Sequence, residues 1–128
     1  MLLPVRERVQ GPDHPSTLAA RLGLARWTGI AGDAARARDQ LAALLPDYEQ
    51  TLGPGHPDIL AARHELAFWT GEAGDAVGAR DQFAMLLPVR EQALGSGHPD
   101  TQATRDQVAR WSAVAAERTA GGAAADLN

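Results

Sequence analysis

Apolar residues recur along this chain at helical spacing, in blocks that open and close on the same residue types. Ala20, Leu24, Trp27 and Ala31 follow i, i+4, i+7, i+11, and Ala62, Leu66, Trp69 and Ala73 repeat the order. Spacing of this kind marks one stripe of an α-helix. The pattern predicts a first helix type, A, over about 16–31, 58–73 and 100–118. The first two stop at a glycine, Gly32 and Gly74, and Asp33 and Asp75 stand where an N-cap for the next helix belongs. A second type, B, follows over about 34–52 and 76–94, with Ala37, Leu41, Leu44, Leu45, Tyr48 and Leu52 on one face. Pro46 and Pro88 fall inside it. Interior proline normally breaks a helix. Here the apolar phase carries through from Leu44 and Leu45 to Tyr48 and Leu52, so a bent but continuous helix is expected, with a true break at the proline as the alternative.

The blocks are copies of one another. His14, His56 and His98 are 42 residues apart, as are Trp27, Trp69 and Trp111 and the Leu-Leu-Pro triplets beginning at Leu2, Leu44 and Leu86. A fixed period of this length in helix-forming sequence predicts an all-α fold, an α–α superhelix in which each unit buries its apolar face against its neighbours. The array is expected over 1–118, with units of about 14–55, 56–97 and 98–118, a partial helix over 2–10 and a disordered tail over 119–128. Trp27 and Trp69 belong to the Leu24 stripe and read as core between units.

Periodicity also decides what the histidines are for. Each lies in a Gly-His-Pro-Asp joint (Asp-His-Pro-Ser in the first copy) between one unit and the next, with no second metal-grade residue recurring beside it. Pro57 suits the first helical position, Asp58 is the candidate N-cap, and His56 is expected to order the turn through a backbone hydrogen bond. Arg38 and Asp39 in the repeated Ala-Arg-Asp-Gln are consecutive on a helix, so they are not expected to face each other.

Composition changes the picture only by exclusion. The chain has no cysteine, hence no disulfide framework or thiol chemistry. Its net charge of −4, with both signs interspersed, argues against general nucleic-acid binding. No apolar run is long enough for a membrane span and nothing at the N-terminus reads as a signal peptide, so a cytoplasmic location is expected. No nucleophile–base order, paired carboxylates, glycine-rich phosphate loop or metal cluster stands out. Neither an enzyme nor a cofactor is expected.

The joint and the helix pair together, "LGPGHPDILAARHELAFWTGEAGDAVGARDQFAMLLPVRE", resemble the tetratricopeptide repeats of the kinesin light chain type over residues 2 to about 111. Leu66 and Ala67 match the Leu-Gly/Ala pair of that family's helix A, and Ala79 and Phe83 match the Ala and Phe of helix B; the helix-B proline and the placing of the Trp depart from it. Similar arrays occur at the C-terminal ends of bacterial signalling NTPases. The use of arginine alone among 12 basic residues fits a high-GC bacterial genome. The resemblance thus implies a piece of a larger array, possessing no phosphate-binding motif of its own.

Comparison between units points to where function would reside. Positions 22, 26 and 30 change from Leu22, Arg26 and Ile30 to His64, Phe68 and Glu72, and then to Asp106, Arg110 and Val114, while most of helix A stays identical between the first two units. Spaced i, i+4, i+8, they form a second stripe, about 130° from the Leu24–Trp27 stripe. By resemblance, this face of helix A lines a concave groove that binds a partner peptide or domain. It would offer Arg26 and Arg110 to carboxylates, Phe68 as an apolar anchor, and His64 and Glu72 as polar partners. The competing expectation is a structural element whose incomplete ends stack head to tail in a weak homo-oligomer, or a regulatory segment of a larger NTPase.

Overall fold

The computed structural model describes residues 15–53 and 55–127, with side chains from Thr17 to Thr119. They form five helices: α1 (Pro15–Ile30), α2 (Ala34–Leu52), α3 (Pro57–Glu72), α4 (Ala76–Leu94) and α5 (Pro99–Leu127). Each helix packs on the next in the chain, and α1 also reaches α3. The result is a stack of helix pairs, with α1, α3 and α5 the A helices and α2 and α4 the B helices. The partial helix expected over 2–10 lies outside the described residues.

The turns follow from local chemistry. Gly32 and Gly74 take φ of 110° and 108°, a region that glycine enters without penalty, and end α1 and α3. Asp33 and Asp75 then cap α2 and α4, accepting from the Arg36 and Gly78 amides at 3.1 and 2.8 Å. At the other joint the cap is His56, whose Nδ1 accepts from the Asp58 amide at 3.1 Å; His98 does the same for Asp100. Asp58 is therefore not the cap. It sits in the first turn of α3 beside Pro57, where a carboxylate complements the helix dipole. The histidine thus has a structural role, met by one ring nitrogen.

α2 and α4 run unbroken through Pro46 and Pro88. Both prolines are exposed, as are Ala42 and Ala84 four residues before them, so water can reach the carbonyls that lose an amide partner. Buried side chains fall into three clusters. One joins Leu18, Leu44, Tyr48, Ile59 and Ala62, a second Ala25, Ala37, Leu41 and Trp69, and a third Ala67, Ala76, Ala79, Phe83, Trp111 and Ala115.

Three expectations are corrected here. Trp69 and Trp111 are core, at 8% and 3% exposure, but Trp27 is 68% exposed and Leu24 52%. The reason is that an A-helix tryptophan packs on the unit before it, and no described unit precedes α1. Arg38 and Asp39 do meet, at 3.1 Å, and Arg80 and Asp81 at 3.0 Å, because the arginine is long enough to bend back to its exposed neighbour. Finally, α5 does not stop at 118 before a disordered tail; it continues as helix to Leu127. At the last position of the expected span Arg118 donates to the Gly74 carbonyl at 2.7 Å, satisfying a carbonyl in the turn that ends α3.

Candidate functional site

The variable stripe of the A helices opens into a cleft of about 410 Å³ between successive units, lined by Arg26, Ile30, His64, Glu65, Phe68, Trp69 and Gln107. α1 supplies the first two, α3 the next four and α5 the last. Four of the residues expected from the sequence, Arg26, Ile30, His64 and Phe68, therefore meet in one place. Glu72 and Arg110 stand beside it, Asp106 is exposed, and Val114 turns inward against the α4–α5 cluster. Leu22 is half-buried and packs against two core clusters, so it supports the groove from beneath rather than lining it.

Two ion pairs cross the groove between A helices. Arg26 Nε bonds Glu65 Oε1 at 2.6 Å, and Arg110 Nη2 bonds Glu72 Oε1 at 3.0 Å. Neither arginine is therefore free for a partner's carboxylate, as the sequence had suggested. Both arginine side chains remain nearly half exposed, while Glu65 and Glu72 are more covered, at 17% and 35%.

The apolar floor is held rigidly. Phe68 meets Trp69 edge to face at 4.8 Å between centroids, and the Arg110 guanidinium lies 5.8 Å from the Phe68 ring and 4.3 Å from Trp111. Glu65 Oε2 accepts from the Trp69 indole at 3.1 Å, and Gln107 does the same for Trp111. Glu65, Trp69 and Gln107 were missed as groove residues. The signal was present, since 65 and 107 are polar positions one helical turn before a repeated tryptophan.

His64 is fixed from behind. Its Nδ1 lies 3.2 Å from Arg90 Nη1, and its ring meets Phe83 edge to face at 5.0 Å. A guanidinium has donors only, so Nδ1 must accept and the neutral ring carries its proton on Nε2. Burial first, and the Arg90 charge second, push the His64 pKa below its ordinary value of 6.5, against smaller opposing effects of Glu65 and Asp100.

A second cleft, of about 400 Å³, opens on the B-helix side between Leu45, Arg63, Leu66, Met85 and Val89. Most of its lining repeats between units, as in Leu45 and Leu87, Glu49 and Glu91, and Arg63 and Arg105. It is built from shared scaffold, whereas the A-helix cleft gathers the positions that differ.

Stacked helix pairs with a groove along their first helices define a helical-repeat protein. The tetratricopeptide repeat family model matches residues 17–58 and 59–100, two consecutive 42-residue copies, and the chain belongs to that family. Among curated proteins none is significantly similar in sequence. Solved structures are similar: nearly identical TPR-like repeats assigned to a kinesin light chain of Podosopora anserina share 28% identity over 85% of this chain, with a TM-score of 0.78. A point variant of the same repeats shares 25% over 98%, with a TM-score of 0.73. The chain spans 52% and 59% of the length of those two proteins.

Proposed function

We propose that this chain is a non-catalytic protein-interaction module that binds a partner peptide in the A-helix groove. Tetratricopeptide repeats suggest such a module; the observation that favours this groove is the meeting of Arg26, Ile30, His64 and Phe68 in one cleft. Those four differ between units while the scaffold around them repeats, which is how a binding face separates from a packing face. The chemistry is that of a short amphipathic segment. An apolar side chain would enter between Ile30 and Phe68, and an acidic group on either side would compete for Arg26 or Arg110.

Panning a random peptide library against the whole chain tests the reading. Binders should lose affinity at least tenfold on Ile30→Glu, an exposed position whose change leaves the core intact. Met85→Glu, in the B-helix cleft, should leave them unaffected. Binders that respond to Met85→Glu and ignore Ile30→Glu would move the site to the other face.

A further inference from the structure

Inside the chain, a tryptophan of one A helix is seated on a glycine of the A helix before it. Trp69 lies on Gly29, where a Cβ would stand 2.6 Å from the ring, and Trp111 lies on Gly71 more closely still. Trp27 is the same residue in the same register and has no seat among the described residues: it is 68% exposed, beside Leu24 at 52% and Ile30 at 57%.

The outward face of α1 also differs in composition from its equivalents. One turn before the tryptophan, α3 has Glu65 and α5 has Gln107, each holding the indole nitrogen; α1 has Gly23. One turn after it, α3 has Glu72 and α1 has Ile30. The stripe Ala20, Gly23, Leu24, Trp27, Ile30 and Ala31 therefore carries no charge and, apart from the indole N–H, no hydrogen-bonding side chain. It is also ordered by size. Nothing lies within 4 Å of where a Cβ would stand at Gly23, so that glycine is an open seat on the same face as the tryptophan.

We propose that α1 docks a second copy of this chain through this face, as an antiparallel, twofold-symmetric pair. With the twofold axis level with position 25, Trp27 falls opposite Gly23 of the second copy and Ile30 opposite its Ala20. Large residues meet small ones in both directions, and the tryptophan-on-glycine seat found twice within the chain is made twice more between copies. The head-to-tail alternative lacks a seat. Gly29 and Gly71 are already filled, and the corresponding position on α5 is Ala113, whose methyl group occupies the space that a seat leaves open. Ile30 lies at the edge of the groove as well, but residues 23 and 27 line no part of it, so changes at those two positions test the pairing apart from the peptide-binding reading.

A contact confined to one helix per copy is smaller than the ~1,200–2,000 Å² of stable interfaces, so the dimer is a weak one. Sedimentation of the full chain from ~10 µM to ~1 mM reads this directly. Association should stop at two copies, and tryptophan emission should shift to the blue as Trp27 is covered. Trp27→Ala and Gly23→Glu, both at open positions, should give monomers with unchanged circular dichroism. Ala113→Arg should leave the dimer intact. A monomer at every concentration, stacks longer than two, or weaker pairing in Ala113→Arg would each overturn the proposal.

Discussion

The indole of Trp69 in α3 rests on the backbone of Gly29 in α1, at a distance that leaves no room for a Cβ. Gly29 is helical, so closeness of approach and not backbone conformation demands the glycine there. Gly29→Ala and Gly71→Ala should each cost about 1–3 kcal/mol, the usual range for overpacking. Gly23→Ala, with open space around it, should stabilise α1 by about 0.5–1 kcal/mol through helix propensity. Urea denaturation in dilute solution measures all three. Similar effects at the three positions would mean that the ring-on-backbone contact is not what holds successive units together.

The same relationship separates the tryptophans. Trp69→Ala removes a buried side chain from a cluster that includes Ala25, Ala37 and Leu41, and should cost about 3–5 kcal/mol, much of the stability of a small domain. Trp27→Ala, at an exposed position, should change unfolding by less than about 0.5 kcal/mol. Equal losses would require Trp27 to be covered in solution.

That difference shows how far the sequence could be read. The boundaries of α1 to α4, the caps at Asp33 and Asp75 and the passage of α2 and α4 through proline were legible, because each depends on residues within a turn or two; the end of α5, with no glycine stop or cap to mark it, was not. The groove was half legible. Comparison of units identified Arg26, Ile30, His64 and Phe68, but Leu22 was assigned to the surface because periodicity locates a stripe without saying what covers it. An A helix inside a stack is packed on two faces, so Leu24 and Leu66, identical in sequence, can have different exposure. The pairing of Arg26 with Glu65, 39 residues away, is a matter of how successive units sit, and no local pattern encodes it.

The histidine caps give a more local test. His56 presents an acceptor to the Asp58 amide, a role that asparagine fills by the same geometry and alanine cannot. His56→Ala should cost about 1 kcal/mol, and His56→Asn should keep most of the stability. Thermal unfolding of both distinguishes a cap from a residue retained for other chemistry, in which case Asn would be as poor as Ala.

Arg90 raises the sharpest prediction. It occupies the register of Tyr48 in the preceding unit, as His64 occupies that of Leu22, so an apolar pair in one unit becomes a polar pair in the next. Arg90 is buried without a carboxylate: Nη1 is shared among His64, Thr104 at 2.8 Å and the Asp100 carbonyl at 3.4 Å, and Nε has no partner. Protonating His64 would put a donor against a donor and a charge beside a charge. Its folded pKa lies below the unfolded value, so the unfolded chain takes up the proton first. Stability should therefore be at its full value above about pH 6.5 and fall as the pH drops below it. His64→Leu removes that slope but strands Arg90, and Arg90→Tyr strands His64; each should cost about 1–3 kcal/mol near neutral pH. The double change His64→Leu, Arg90→Tyr recreates the Leu22–Tyr48 pair and should recover most of the loss, with Thr104→Ala completing the match to Ala62. Denaturation at pH 5 and pH 8 reads both effects. Simple additivity of the two changes, or a pH slope that survives without His64, would show that the two side chains do not act as a pair.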